Sequence, residues 1–346
     1  MSALLAPAPP SPAAHPGTGR RRRQVLALLG VAVLAVFAVD VLLGDYTVTL
    51  ADFFRILAGE QIPGASFIVW ENKLPRAVVA TLVGVGFGVS GAVLQSLLRN
   101  PLASPDVVGV TSGASAAAVF ALVVLGASGF SVPLAALAGA GLVALLLQVL
   151  AAGSGVAGQR LVLVGIGVAA VLNALTGYLI TSSDIQTAAD ALVWLNGSLT
   201  NASWERASWA GLACVLVLPV AAALSRPLHA LELGDDAAAA VGVPVARARL
   251  GLLVVAVALA AVATAAAGPV SFVAFLAGPI ARRLLRGTTS LLAAGLVGAL
   301  VVLGAEFLAA NLLPDTALPV GVVTGALGAP FLLYLLVVAN RGGQGG

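Results

Sequence analysis

Long apolar runs separated by short polar breaks cover nearly the whole chain. Runs of about 20 apolar residues can cross the hydrocarbon core of a bilayer as helices. The runs are continuous and do not alternate with a period of two, so they do not suit a β-barrel. The pattern therefore predicts an all-α polytopic membrane protein with about ten transmembrane helices. The predicted spans lie near residues 25–43, 77–98, 107–127, 132–151, 161–181, 207–225, 248–267, 271–285, 290–309 and 319–339.

Composition supports a membrane protein and divides the chain into three parts. Of the 346 residues, 60% are hydrophobic and only 9% are charged, too few charges to cover a soluble core of this size. We interpret residues 1–24, which end in Arg20 to Arg23, as a disordered cytoplasmic tail. Residues 25–340 form the predicted transmembrane domain, and residues 341–346 a second cytoplasmic tail.

Basic residues are distributed unequally between the loops on the two sides of the predicted bundle. With the N-terminus inside, 13 of the 17 Lys and Arg residues fall on the inner side. That bias follows the positive-inside rule and predicts that both termini are cytoplasmic. The inner set is Arg20, Arg21, Arg22, Arg23, Arg99, Arg160, Arg226, Arg247, Arg249, Arg282, Arg283, Arg286 and Arg341, and the outer set is Arg55, Lys73, Arg76 and Arg206.

A polar, proline-rich elbow lies between the second and third predicted spans. It contains Arg99, Asn100, Pro101, Pro105 and Asp106. Each proline disfavours helix at the residue before it, so the pair ends one helix and prepares the next. Asp106 is placed to favour the N-terminus of the following helix. These features predict a tight turn at the inner face.

The longest inner loop, residues 225–250, contains a segment that predicts a short helix. Asp235 and Asp236 favour a helix N-terminus, Ala239 belongs to a run of four alanines, and Gly234 and Gly242 bound the segment. The helix, about residues 234–243, is too short to cross a membrane. It suits docking into a groove of another protein, or it is a surface helix with no partner.

The sequence lacks the sets of residues that nucleotide binding, metal binding and catalysis usually require. Lys73 is the only lysine, and no glycine-rich phosphate-binding loop precedes it. The single cysteine, Cys214, and the two histidines, His15 and His229, form no metal or catalytic set. The middles of the spans are nearly free of charge, which disfavours a self-driven carrier. We therefore expect a non-catalytic protein that binds no cofactor, metal or nucleic acid and takes its energy from a partner.

The predicted outer face offers two further features, each with two interpretations. Lys73 and Arg76 stand at the outer mouth of the second span, against the charge bias. They either meet acidic groups on something arriving from outside or pair with Glu71 and lipid headgroups. The stretch 182–205 forms either an outer half-helix or an aromatic interfacial belt.

Several motifs together resemble those of one known family. They are LPRAVVATLVGVGFGVSGAVLQSLLRNPLASPDVVGVTSGAS (74–115), LVLVGIGVAAVLNAL (161–175), LELGDDAAAAVGV (231–243), GPVSFVAF (268–275), ARRLLRG (281–287) and LPVGVVTGALGAPFLLYLL (318–336). The sequence is similar to FecCD-type ABC importer permeases, which carry iron–siderophore complexes, haem or cobalamin. The similarity covers nearly everything after residue 45.

The resemblance implies a type II ABC importer bundle in a bacterial cytoplasmic membrane. It implies a second permease subunit, identical or a sister chain, and an extracytoplasmic binding protein. Two cytoplasmic ATPase subunits would hold ATP and magnesium. Iron–siderophore is the expected substrate. A haem or cobalamin importer and, more remotely, a self-driven secondary transporter are the alternatives.

The resemblance also implies roles for individual residues. The segment with Gly234, Asp235, Asp236, Ala239 and Gly242 corresponds to the helix that couples to the ATPase. Lys73 and Arg76 correspond to positions that meet the binding protein, the elbow to a hinge beside the inner gate, and Ser90, Gly91 and Gln95 to the translocation pathway. The chain departs from the family pattern at Gly278-Pro279, Ala310 and Ala317. We hypothesise that a sister permease supplies the groups missing at the outer positions.

Overall fold

The computed structural model describes residues 17–44, 46–151, 157–312 and 318–342, and within these ranges it contains helices and no strand. The helices are α1 (Gly17–Leu42), α2 (Leu50–Leu57), α3 (Ala65–Phe67), a π-helical segment (Ile68–Lys73), α4 (Leu74–Leu97), α5 (Pro105–Val108), α6 (Val110–Val123), α7 (Ser131–Ala151), α8 (Ala157–Ser182), α9 (Ile185–Leu195), α10 (Trp204–Ala223), α11 (Ser225–Glu232), α12 (Asp235–Ala240), α13 (Val245–Ala267), α14 (Val273–Leu284), α15 (Leu291–Asn311) and α16 (Val320–Gly342). The predicted all-α class is confirmed.

The number of membrane-length helices agrees roughly with the predicted ten. Seven helices in the described part of the chain are long and apolar enough to cross a membrane, and the stretches Val110–Val123 and Val320–Tyr334 are shorter apolar helices. The predicted eighth span forms α14, whose 12 residues cover about 18 Å and so reach roughly halfway across a bilayer core. The outer stretch 182–205 contains helix α9, which favours the half-helix interpretation.

Three predicted boundaries are wrong. Helix α1 begins at Gly17, so Arg20 to Arg23 lie in a helix and not in a disordered tail. The reason is that arginine is a good helix former and that this segment extends a helix already nucleated in the membrane span. The second span begins near Ala65, because the π-helical segment joins α3 to α4 in one 33-residue helix. The third is divided at Gly109, whose φ of 89° ends α5. Residues 1–16 and 343–346 of the predicted tails lie outside the described residues.

Helix α4 forms the centre of the bundle and packs against α13, α14 and α15. Glycines permit the closest of these approaches. A Cβ atom on Gly88 would lie 2.3 Å from the carbonyl oxygen of Ala294, and one on Gly84 would lie 2.4 Å from that of Gly298. Backbone-to-backbone packing of this kind is how transmembrane helices associate through small residues. The α4–α15 contact therefore depends on the absence of side chains.

We expect Gly88→Val to destabilise the bundle strongly, because the new side chain would overlap the backbone of α15. Overpacking a tight core costs typically about 1–3 kcal/mol, and more where backbone must move. The thermal unfolding midpoint of the purified chain in detergent measures the effect. Gly177→Val in α8 is the matched control, since a Cβ at Gly177 meets nothing within 4 Å. Equal unfolding midpoints for the two variants would contradict the packing described here.

Candidate functional site

The predicted short helix is present as α12 and stands at the surface of the bundle. Gly234 precedes it with a φ of 120°, and Gly242 follows it with a φ of 84°. Both values lie where glycine is favoured over residues with a side chain. The amides of Gly242 and Val243 donate to the carbonyls of Ala239 and Ala238 and close the helix. The sequence pattern therefore located this helix correctly.

Helix α12 presents an apolar surface to its surroundings. Only Ala238 of the helix is buried, and Ala239 is exposed. The flanking residues Leu233 and Val241 are 80% and 73% exposed. Sequence reasoning missed these two residues. The available signal was that each of these apolar residues stands directly beside a glycine that bounds the helix.

An ion-pair cluster joins α12 to the elbow. The Asp235 carboxylate accepts hydrogen bonds from Arg99 Nη2 at 2.8 Å and from Arg249 Nη2 at 3.0 Å. Arg99 Nε also donates to the carbonyl oxygen of Leu231 at 3.1 Å. We call Asp235, Arg99 and Arg249 the clasp. The side chains of Asp235 and Arg99 are each nearly half exposed, and such pairs contribute little individually, but here two arginines share one carboxylate.

The clasp brings together two regions that the sequence analysis treated separately. Arg99 follows α4, Arg249 lies near the start of α13, and Asp235 begins α12. Arg99 has a φ of 48°, which is uncommon for a residue with a side chain and is maintained only where neighbouring contacts demand it. Its hydrogen bonds to Asp235 and Leu231 are such contacts. The clasp therefore connects α12 directly to the end of the central helix.

The five predicted elbow residues lie in one well-bonded turn. Asn100 Oδ1 accepts a hydrogen bond from the amide of Leu102 at 2.9 Å, and Pro101 lies between them. Ser104 caps α5, since its hydroxyl accepts from the amide of Val107. Pro105 occupies the first turn of α5.

Asp106 follows Pro105 in α5. Burial raises the pKa of the Asp106 carboxyl above its ordinary value, and a hydrogen bond with Thr111 opposes the rise. A hinge role for this elbow stays a prediction.

Ser90, Gly91 and Gln95 are packed inside the subunit. Ser90 and Gln95 are fully or almost fully buried, and a Cβ on Gly91 would lie 1.8 Å from the carbonyl oxygen of Ala274. The Ser90 hydroxyl donates to the carbonyl of Ala256 at 2.6 Å. All three residues face the interior of the subunit, because α4 is surrounded by α13, α14 and α15. A pathway-lining role for these residues stays a prediction, and their contacts give all three a packing role within the subunit.

Gln95 also accounts for one departure from the family pattern. Its amide nitrogen donates to the carbonyl of Phe275 at 3.1 Å, and its Oε1 accepts from Arg282 Nη2 at 2.9 Å. A Cβ on Gly278 would lie 2.1 Å from that same Oε1. Glycine at 278 therefore makes room for the Gln95 side chain between α4 and α14. Ala317, a second departure, lies outside the described residues.

The outer basic residues are engaged within the chain. Lys73 Nζ donates to the carbonyls of Leu43 and Tyr46 at 2.6 and 2.8 Å. These carbonyls follow the C-terminal end of α1, where a lysine is favourable. Arg76 forms an ion pair with Glu306 of α15, whose side chain is 1% exposed. A docking role for Lys73 and Arg76 stays a prediction, and these internal contacts give both residues a structural role.

The described residues hold no group of three His, Cys, Asp or Glu side chains that could bind a metal ion. Cys214 is buried. The architecture is thus a multi-pass helical membrane protein with an exposed short helix fastened to its central span.

Comparison with known proteins identifies the family. The FecCD transport family profile matches residues 31–338, and the chain belongs to this family of transporter permeases. It is 40% identical to the ferric enterobactin transport system permease protein FepG of Escherichia coli, covering 93% of this chain and 98% of that one. It is 43% identical to the achromobactin transport system permease protein CbrC of Dickeya dadantii, covering 91% of each.

A solved structure agrees with the fold. An inward-facing conformation of an ABC transporter of the metal-chelate type superposes with a TM-score of 0.81 at 25% identity. The match covers 91% of this chain and 99% of that chain. The agreement therefore extends over nearly the whole chain.

Proposed function

We propose that the chain is the membrane permease subunit of an ATP-driven importer that moves iron(III)–siderophore complexes across a bacterial cytoplasmic membrane. The observation that carries the proposal is helix α12, which exposes Leu233 and Val241 and is held by the clasp. Exposed apolar groups on a short, rigidly attached helix suit insertion into a protein groove. The partner in this proposal is a separate ATPase subunit that binds ATP and magnesium.

The clasp explains how such a partner would act on the permease. ATPase movement applied to α12 reaches α4 through Arg99 and α13 through Arg249. A second attachment lies beside it, where Glu232 accepts a hydrogen bond from the Thr289 hydroxyl at 2.8 Å between α11 and the start of α15. The segment on which the ATPase would act is therefore attached to α4, to α13 and to the start of α15.

The orientation in this proposal places α12 and both chain termini on the cytoplasmic side. Three arginines lie at the α12 end of the bundle. Arg99 and Arg249 belong to the clasp, and Arg247 lies in the first turn of α13. Arg21 Nη2 of α1 donates to the carbonyl of Leu284 at 3.4 Å, which places the basic start of α1 at the end of α14. A concentration of arginine at one end agrees with the positive-inside rule.

The substrate class follows from the relatives. FepG is named for ferric enterobactin and CbrC for achromobactin. The vitamin B12 import system permease protein BtuC of Shigella boydii is 32% identical, so cobalamin is the second candidate and haem a third. A self-driven carrier is disfavoured because Glu306, a buried acid in a span, is already paired with Arg76.

The assembly we propose contains a second permease, two ATPase subunits and an extracytoplasmic binding protein. The second permease is a sister chain in this proposal, since Ala310 and Ala317 depart from the family pattern at the outer face. Co-purification from the native membrane tests this point. Recovery of identical permease pairs alone would remove the sister-chain hypothesis and leave the importer proposal intact.

Uptake into proteoliposomes tests the function. The complete importer, reconstituted with its binding protein, should accumulate radioactive iron bound to enterobactin or achromobactin only when ATP is supplied on the ATPase side. Radioactive cyanocobalamin serves as the competing substrate. Accumulation driven by a proton or sodium gradient without ATPase subunits would overturn the proposal. Uptake of cyanocobalamin in place of iron would overturn the substrate class alone.

A further inference from the structure

A groove between α7 and α13 has the dimensions of one lipid chain. Its volume is about 450 Å³, and its lining residues, which include Gly141, Leu145, Leu253 and Val257, are apolar except for Gln148. The lining runs along α7 from Leu137 to Gln148, a rise of about 16 Å. This length is close to half of the bilayer core, about 15 Å. The groove therefore spans the depth of one leaflet.

The chemistry of the lining favours a hydrocarbon chain as the occupant. Since the lining offers only Gln148 as a polar side chain, the occupant along most of the groove is hydrocarbon.

A cationic residue lies at the end of the groove that points towards α12. The lining residues of α13 begin at Leu250 and continue through Val254 and Val257. Arg247 precedes Leu250 by three residues, so it lies on the same helix face one turn further out. Arg247 is exposed, and the structure shows no ion pair or side-chain hydrogen bond for it among the described residues. A phosphate at this position would acquire a charge-assisted partner.

We propose that this groove binds one anionic phospholipid, with an acyl chain between α7 and α13 and the phosphate at Arg247. Arg247 lies within the first turn of α13, the height at which headgroups meet a span of this length. In the proposed orientation this is the cytoplasmic leaflet, whose anionic lipids attract basic residues near the surface. The bound lipid fills the space between α7 and α13, close to Arg249 of the clasp.

Native mass spectrometry of the full-length chain with added phosphatidylglycerol or phosphatidylcholine tests the proposal. The wild-type chain should retain one phosphatidylglycerol more tightly than phosphatidylcholine. Arg247→Gln should weaken phosphatidylglycerol binding about tenfold, the size of one lost charge-assisted contact, and leave phosphatidylcholine binding unchanged. Arg226→Gln, an exposed arginine on α11, is the control. Equal binding of the two lipids, or no effect of Arg247→Gln, would overturn the headgroup assignment.

Filling the groove provides an independent test. A Cβ on Gly141 meets nothing within 4 Å, so Gly141→Leu projects into the groove without a backbone clash. This variant should reduce retention of the tight phosphatidylglycerol at least fivefold, whereas Gly30→Leu on α1, where a Cβ also meets nothing within 4 Å, should not. Unchanged lipid retention in Gly141→Leu would overturn the groove as the site. Cross-linking that shows a second permease covering the groove would also overturn the proposal.

Discussion

Replacing Asp235 with arginine and Ala239 with tryptophan will abolish association with the ATPase subunits and leave the chain inserted in the membrane. The arginine would place a third positive charge against Arg99 and Arg249, which now share the Asp235 carboxylate at 2.8 and 3.0 Å. Like charges at this separation repel, and α12 loses its attachment. The tryptophan adds a large group to the exposed Ala239. Co-purification of the ATPase with the tagged chain measures the loss.

A matched double variant separates this effect from general damage. Glu205→Arg with Ala189→Trp makes the same two changes at exposed positions of the opposite face and should retain the ATPase fully. Membrane fractionation of both variants checks insertion. If the Asp235→Arg, Ala239→Trp variant co-purifies with normal amounts of ATPase, α12 is not the coupling element.

Replacing Arg76 with leucine will destabilise the folded bundle by about 3–5 kcal/mol, the usual cost of leaving one member of a buried ion pair alone. The carboxylate that loses its partner is Glu306, which is 1% exposed on α15. Replacing both Arg76 and Glu306 with leucine should recover most of the loss, because neither charge then remains buried. Denaturant unfolding of the purified chain in detergent measures the free energy of unfolding.

The same substitution at a surface pair provides the control. Arg55 pairs with Glu60 at 2.8 Å, but the arginine side chain is 58% exposed, so Arg55→Leu should cost less than about 1 kcal/mol. An Arg76→Leu variant that is as mild as Arg55→Leu would contradict the structural role of the buried pair. Loss of binding-protein association in the stable double variant would show that Arg76 also acts in docking.

The positions of the spans were predictable from the sequence because span length and apolarity are local properties. Their ends were not, since tertiary contacts decide them. The sequence predicts a second span that begins near residue 77, yet residues 68–73 form a π-helix that continues into α4, and the amide of Leu74 donates to the carbonyl of Val69. The division at Gly109 likewise depends on α8, because a Cβ at Gly109 would lie 3.0 Å from the carbonyl oxygen of Gly165.

The candidate site was predictable in its parts and not in its connections. Glycines and aspartates located α12, but Arg99 and Asp235 are 136 residues apart, and no pattern in one sequence pairs them. The family resemblance implied a pathway role for Ser90 and Gln95, and the structure shows both side chains bonded to carbonyls of neighbouring helices. Whether a polar side chain faces a channel or a neighbouring carbonyl depends on the rotation of its helix. The sequence of α4 alone does not reveal that rotation.

The uninterrupted 33-residue helix from Ala65 to Leu97 is about 50 Å long, well beyond the thickness of the bilayer core. In the first third of this helix, Lys73 donates a hydrogen bond to the carbonyl of Leu43, just after α1. Just after its C-terminal end, Arg99 pairs with Asp235 at the start of α12. Because both attachments belong to one continuous helix, we expect a displacement of α12 at one face of the membrane to shift the contact with α1 at the other face.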